Sequence, residues 1–384
     1  MCSSCVSLHI GNRKIKGMDF DYVVMPAVIL VVAPLLVWLC IRRICSISAK
    51  DYRAWRKAAE RIVLTSIALL AIVLGGSSSF NAIKLYRFRA TNPPPGILYA
   101  VDGRKMHINC TGSGSPTIVL ESGSGGDALV WGGVQPVLSK TTRVCSYDRA
   151  GLGWSEPRPG PRDADHIASE LHELLRQANV TGPVVLMGHS VAGLYMRDYI
   201  KHYPSEVAGI VFVDSSTPSA AAHGAQTGPL IMTMIGRPLF ILGIPRLMGF
   251  CSQPKPGFDS HTGLMQREGL CHTEYGPVIS ELEDRDRSDQ QTAATGPYGS
   301  LPILILSHDP SLKQWNQRLG NGWNQAQEDM KRLSVRSRRV IASGSGHYIQ
   351  FDRPDIIERE VPLFVNQIRG TTPWPANFGS TIRE

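Results

Sequence analysis

The 384 residues contain no internal repeat and no extended low-complexity tract, which argues against solenoid and fibrous architectures. The eight cysteines form no zinc-binding pattern, so no metal is expected. Charge is biased to one sign, with a formal net charge of +8 and a pI near 9.1. Yet no long basic helix and no aromatic-basic array is present. The Lys and Arg are scattered or flank apolar runs, a pattern of membrane flanks and solvated faces that excludes a nucleic-acid partner. A cleaved signal peptide is also not expected, because the first apolar run is too long and starts too late.

What is present divides at about residue 90. Tyr22 to Ile41 runs without a charge, enough to cross a hydrocarbon core of about 30 Å at about 1.5 Å per residue. Pro26 and Pro34 fall inside it, which membrane helices tolerate. A second uncharged stretch covers Ile62 to Ile83. Residues 42 to 61 between them hold seven Lys or Arg against two acids, the signature of a cytoplasmic loop. A two-span hairpin in a lipid bilayer is therefore expected at 22–41 and 62–83, within an anchor of residues 1–90. The large remainder should lie outside the cytoplasm. Arg13, Lys14 and Lys16 before the first span, and Lys84, Arg87 and Arg89 after the second, pull the other way.

Residues 91–96 form a stiff Pro-rich linker. Beyond them, apolar strands alternate with helices. Lys105 to Cys110, Thr117 to Ser122, Thr141 to Asp148, Val184 to Met187, Ala208 to Asp214, Leu301 to Ser307 and Ser337 to Ser343 read as strands. The segment "ADHIASELHELLRQANV" reads as a helix, with Asp163 or Asp165 as its N-cap, and another begins near Pro354. Strands apolar on both faces between helices predict an α/β fold with a mostly parallel sheet covered on both sides. Ligands of such sheets bind at the carboxyl ends of the strands. Residues 97–370 make this domain, with a cap insertion at about 215–300 and a tail at 371–384.

The stretch "VVLMGHSVAGLYMRDY", residues 184–199, passes from strand to helix with Ser190 at the apex. A serine hydroxyl is a weak nucleophile and needs a positioned base. A strained turn flanked by small residues exposes it, with Ala192 where a second glycine is usual. In "VLESGSGG", residues 119–126, a strand ends in Gly-rich turn chemistry. The backbone N–H groups of Val191 and Ser124 are the candidate oxyanion donors. No lysine follows that would make a phosphate loop. Of eleven histidines, His347 sits in a short loop after the last strand and is the candidate base. His189 is too near Ser190 in sequence to bend back, and reads as a turn-packing or pocket residue. Gly123, His189, and Met234 and Leu239 of the apolar stretch 228–250 are the candidate substrate contacts. The run "SELEDRDRSDQQ" reads as a solvated helix face. Cys251 and Cys271 are close enough in sequence to pair, whereas Cys110 and Cys145 read as buried free thiols.

Together these motifs resemble the α/β-hydrolase fold superfamily. "GHSVAG" is similar to its nucleophile elbow and "LESGSGG" to its oxyanion turn, with Ser122-Gly123 where His-Gly is common. "YDRAGLGWSEP" and "SGHYIQFDRPDII" are similar to its D-x-x-G-x-G-x-S stretch and histidine loop, in family order over residues 96–370. The resemblance implies a triad acid, for which two positions compete. Asp309 follows the strand usual for the family but comes about two residues early from Pro302. Asp214 ends the strand after the nucleophile, as in a minority of members, and is preferred. Asp148 would hold the turn after its strand. The resemblance implies a cofactor-free serine esterase or lipase-like enzyme for an apolar acyl ester. Acyl transfer or perhydrolysis would use the same residues, and a non-catalytic ligand-binding or receptor-like protein is the alternative of another class.

Overall fold

The computed structural model describes residues 25–47, 53–218, 236–254, 260–271, 275–319, 322–375 and 378–384. Met234 and residues 22–24 of the first expected span lie outside them. Nine strands among these residues form one sheet: β1 (Ile97–Val101), β2 (Arg104–Thr111), β3 (Thr117–Glu121), β4 (Val144–Tyr147), β5 (Val184–His189), β6 (Val207–Val213), β7 (Ile303–Ser307), β8 (Ser337–Ile341) and β9 (Thr381–Arg383). Their order is β1-β2-β4-β3-β5-β6-β7-β8-β9. Both pairings of β2 are antiparallel and every other pairing is parallel.

Every residue of β3, β5 and β7 is buried, as expected of parallel strands covered on both faces. The strand period of two divides the core. Val119, Leu186, Phe212 and Ile305 pack on one face with Leu171, Leu174 and Tyr199. Leu120, Met187, Val211 and Leu304 pack on the other with Trp131, Ile356, Val361 and Phe364. The helix Ala164–Gln177 is capped by Asp163, whose carboxylate accepts from His166 N. The tail of the sequence reading carries β9, paired with β8.

Three expectations need correction. Cys110 and Cys145 are not free thiols but a disulfide, and Cys251 pairs with Cys271. The strand order explains the first: β2 lies beside β4 rather than β3, which sets Cys110 directly opposite Cys145 in an antiparallel pair. The second concerns the anchor. Its helices run Met25–Ile47 and Ala54–Thr91, so much of the basic segment 42–61 is helical. The second helix, 38 residues long, measures about 57 Å at about 1.5 Å per residue, almost twice a hydrocarbon core. Both helices are long and apolar enough to be candidate spans. They approach closely at Gly75, where an added Cβ would stand 2.9 Å from Ala33 Cβ.

The insertion between β6 and β7 is helical in its described parts: Arg237–Ile241, Ile244–Leu247, Ser260–Gly269, Tyr275–Glu283 and Arg285–Thr292. Third, its last two helices are not a solvated face throughout, because Glu281, Ser288 and Thr292 are buried. The helix Arg285–Thr292 packs on Ala164–Gln177 and Ala192–His202, and Ser288 Oγ accepts from Ala164 N at 3.0 Å. Peptide mapping without reductant should recover Cys110 linked to Cys145 and Cys251 linked to Cys271. Recovery of alkylated Cys110 and Cys145 would contradict this pairing.

Candidate active site

Ser190 follows β5 directly and heads the helix Ala192–His202. Its backbone is left-handed, with φ of 57°, a conformation costing a non-glycine residue about 1–3 kcal/mol. Surrounding bonds hold it there. Its N–H donates to Val213 O at 3.3 Å, and its carbonyl accepts from Gly193 N at 3.0 Å and Ser216 N at 2.7 Å. The small-residue requirement is literal at Gly193, where a Cβ would lie 2.3 Å from Ser216 O.

The register His189↔Val213 places Asp214 beside Ser190 at the same sheet edge. Asp214 is also left-handed (φ 43°) and buried. His347, in the loop after β8, joins the two. Its Nδ1 donates to Asp214 Oδ2 at 2.6 Å, and its Nε2 faces Ser190 Oγ at 3.0 Å. The other carboxylate oxygen accepts from His308 N at 3.1 Å, His308 Nδ1 at 2.8 Å and Trp323 Nε1 at 3.2 Å. Burial would raise the pKa of Asp214, but the bonds and charge of His308 and His347 outweigh it and hold the carboxyl well below the usual carboxylate range.

Asp309 is engaged elsewhere. Its carboxylate accepts from Ser311 N at 2.9 Å, Gly344 N at 3.0 Å and Arg383 at 2.9 Å. It braces the loops after β7 and β8. Burial is again the largest influence and would raise its pKa, yet those bonds keep it well below the usual range.

His189 supports the base rather than facing the serine. Its Nε2 donates to His347 O at 3.0 Å, and its ring lies 4.5 Å from the His347 ring and 5.0 Å from Tyr348. Trp323 meets the His347 ring edge-on at 5.6 Å. Gly123 lies over His189, leaving a Cβ only 2.8 Å from its Nδ1. The amide of Val191 opens the elbow helix, where first-turn N–H groups lack intrahelical partners. Ser124 lies in the turn after β3, whose Ser122 Oγ donates to Asp127 O at 2.7 Å. Leu239 is on the outer part of the cap. Asp148 accepts from Ala128 N, Trp154 N and His107 Nδ1 at 2.7–2.9 Å, a structural role.

Arg149 and Trp323 were not legible as functional. Arg149 is the more consequential of them. This buried guanidinium donates to Ser122 O at 2.6 Å and Gly123 O at 2.9 Å, and pairs with Glu121 at 2.7 Å and Glu281 at 2.8 Å. It thus ties the turn after β3 to the cap helix Tyr275–Glu283. Burial works against its charge, but Glu281 and Glu121 raise its pKa well above the ordinary value. Burial likewise opposes ionisation of Glu281, and Arg149 and Arg162 pull it below the ordinary value. At Glu121 burial wins over Arg149, and the pKa is raised. Only its place within the Gly-rich "DRAGLG" run could have drawn notice to Arg149.

With this geometry in hand, the profile of the alpha/beta hydrolase family matches residues 118–360. The chain belongs to that family. An uncharacterised protein of Schizosaccharomyces pombe is 26% identical over 350 residues, covering 80% of this chain and 62% of its own length. A probable transporter of Hormonema carpetanum is 28% identical, covering 66% of this chain and 40% of its own. This chain therefore spans less than two thirds of either relative. A putative lipase of Acinetobacter baumannii shares the fold with a TM-score of 0.56 at 18% identity, over 76% of this chain and 97% of that one. A membrane phospholipase A described as a bacterial virulence factor superposes with a TM-score of 0.53 at 20% identity, over 81% of this chain and 99% of that one.

Because native Asp309 binds fewer protons than its unfolded counterpart, it contributes stability above an unfolded pKa of about 3.9, lost as pH falls toward the native value. Asp309→Asn should lower the melting temperature at pH 7, with the deficit shrinking below about pH 4. Thermal scans across pH test this, and a deficit that persists unchanged at pH 3 would refute it.

Proposed function

We propose that this protein is a membrane-anchored serine hydrolase that cleaves an apolar acyl ester through an acyl-enzyme. The observation that carries this reading is the hydrogen-bonded line from Ser190 Oγ through His347 to Asp214. Ser190 Oγ bonds to the ester carbonyl carbon while His347 Nε2 takes its proton. The oxyanion is met by the N–H groups of Val191 and Ser124. Collapse expels the alcohol, which leaves with the proton from His347. Water, deprotonated by the same imidazole, then attacks the acyl-enzyme, and the acid departs as Ser190 regains its proton. Asp214 holds the imidazole tautomer and stabilises the imidazolium. His308 and Trp323 occupy Oδ1, which leaves Oδ2 for His347.

The anchor reading is supported by the two apolar helices, whose outer faces are largely uncovered by protein. Two disulfides in the domain suit an oxidising compartment. With the basic segment 42–61 read as cytoplasmic, both features support a domain outside the cytoplasm.

Ser190→Ala should abolish labelling by a fluorophosphonate probe while leaving the melting temperature near that of the parent; undiminished labelling would sink the assignment. Asp214→Asn should lower kcat by about 10⁴, and Asp309→Asn far less. A large loss confined to Asp309→Asn would move the acid to the other loop. A membrane-impermeant thiol reagent should reach cysteines engineered after residue 100 from outside intact cells. Labelling only within 42–61 would invert the topology.

A further inference from the structure

The cap is built onto the long anchor helix. Asn81 Nδ2, buried in the junction, donates to Phe240 O at 3.3 Å and Cys271 O at 3.4 Å. Its Oδ1 accepts from Arg246 Nε at 2.9 Å, and Arg246 pairs with Glu268 at 3.0 Å. One turn earlier, Ser78 Oγ donates to Ile241 O at 3.3 Å. Gly243, left-handed at φ 72°, brings the cap backbone against the helix, where a Cβ would stand 3.0 Å from Ser77 O. The same helix forms a candidate span over Ala54–Phe88. A cap held at residues 77–81 therefore meets the last turns of the uncharged stretch, which ends at Ile83.

Beside this junction the cap exposes apolar side chains. Met248 is 80% exposed, Leu247 57%, and Leu239 and Phe250 more than a third. Exposed apolar surface costs about 25 cal/mol per Å², and a cluster of it marks a contact surface. Its continuity with the span selects the bilayer as the contact. Arg267, over the Phe250 ring at 4.1 Å, supplies a cation at the rim, as do Lys84 and Arg87, exposed further along the helix. Cations at such a boundary suit lipid headgroups.

From this patch a seam of side chains leads to the serine's surroundings. Phe250 meets Phe240 edge-on at 6.3 Å, and Phe240 stacks on Tyr275 at 4.2 Å. Val278, on the same helix as Tyr275, lies over Gly125 of the turn after β3, 3.2 Å from where a Cβ would be. We infer that the substrate is a long-chain acyl ester dissolved in the bilayer. It is taken up at the cap–membrane boundary, its acyl chain lying along Phe250, Phe240, Tyr275 and Val278 and its carbonyl reaching Ser190. This rests on the serine-hydrolase reading above: one water is consumed, and one carboxylic acid and one alcohol are released.

The test uses the full chain reconstituted in phosphatidylcholine vesicles. It compares para-nitrophenyl acetate, dissolved in water, with a fluorogenic long-chain acyl ester dissolved in the same vesicles. Met248→Glu sets a charge on the exposed patch without disturbing the interior. It should slow hydrolysis of the bilayer ester about tenfold or more, the effect of roughly 1.4 kcal/mol. Acetate hydrolysis and fluorophosphonate labelling of Ser190 should not change. Asn81→Ala, which unfastens the cap from the helix, should produce the same split. Equal rates for Met248→Glu and the parent on the bilayer ester would overturn the inference, as would a parent that hydrolyses the acetate but not the bilayer ester. A parent that fails to take the probe would overturn the hydrolase reading instead.

Discussion

Asp214 is a carboxylate with no access to water at the end of β6, and the site is arranged around satisfying it. Taking such a charge out of water costs several kcal/mol unless hydrogen bonds replace hydration. Four donors do so: two from His308, one from Trp323 and one from His347. They come from the turn after β7, the helix Trp323–Asp329 and the loop after β8. One buried charge thereby organises three segments that are distant in sequence. The imidazole that faces Ser190 is held by the same bonds that keep the carboxylate ionised.

A second buried charge plays the corresponding part for the turn after β3. Carbonyl oxygens of Ser122 and Gly123 point at Arg149, which orients that turn's peptide groups. Glu281 balances the guanidinium from the cap. Loss of one member would strand the other without water, a cost of about 3–5 kcal/mol. Gln266, also from the cap, donates to Asp127 in the same turn. The cap and the turn therefore share their polar contacts instead of merely touching.

The parallel sheet was legible because buried strands carry unbroken apolar runs, and Ser190 was legible because a strand meets a helix there with only small residues between. His347 stood out by position. The structure brings both within hydrogen-bond distance of one another. The acid was harder to read, since β6 and β7 are each followed by an aspartate. What separates Asp214 from Asp309 is which side chain meets His347 Nδ1, a matter of loop geometry that apolar periodicity does not encode. Cys110 and Cys145 were misread for a related reason: their pairing depends on β3 being inserted between β4 and β5. Arg149 and Glu281 were missed because a charged residue in sequence looks solvated until its partner, more than a hundred residues away, is known.

The unbroken helix Ala54–Thr91 changes which part of the molecule is stationary. In a hydrolase whose cap hangs only from the sheet, opening the site swings the cap away from a fixed core. Here the cap is fastened to the helix at Ser78 and Asn81, while the core follows residues 92–96. The helix meets the core at Asn92, whose carbonyl accepts from Trp154 Nε1 at 2.9 Å. Seen from that helix, any separation of cap and core is therefore a displacement of the nine-stranded sheet, with its pivot in that short linker.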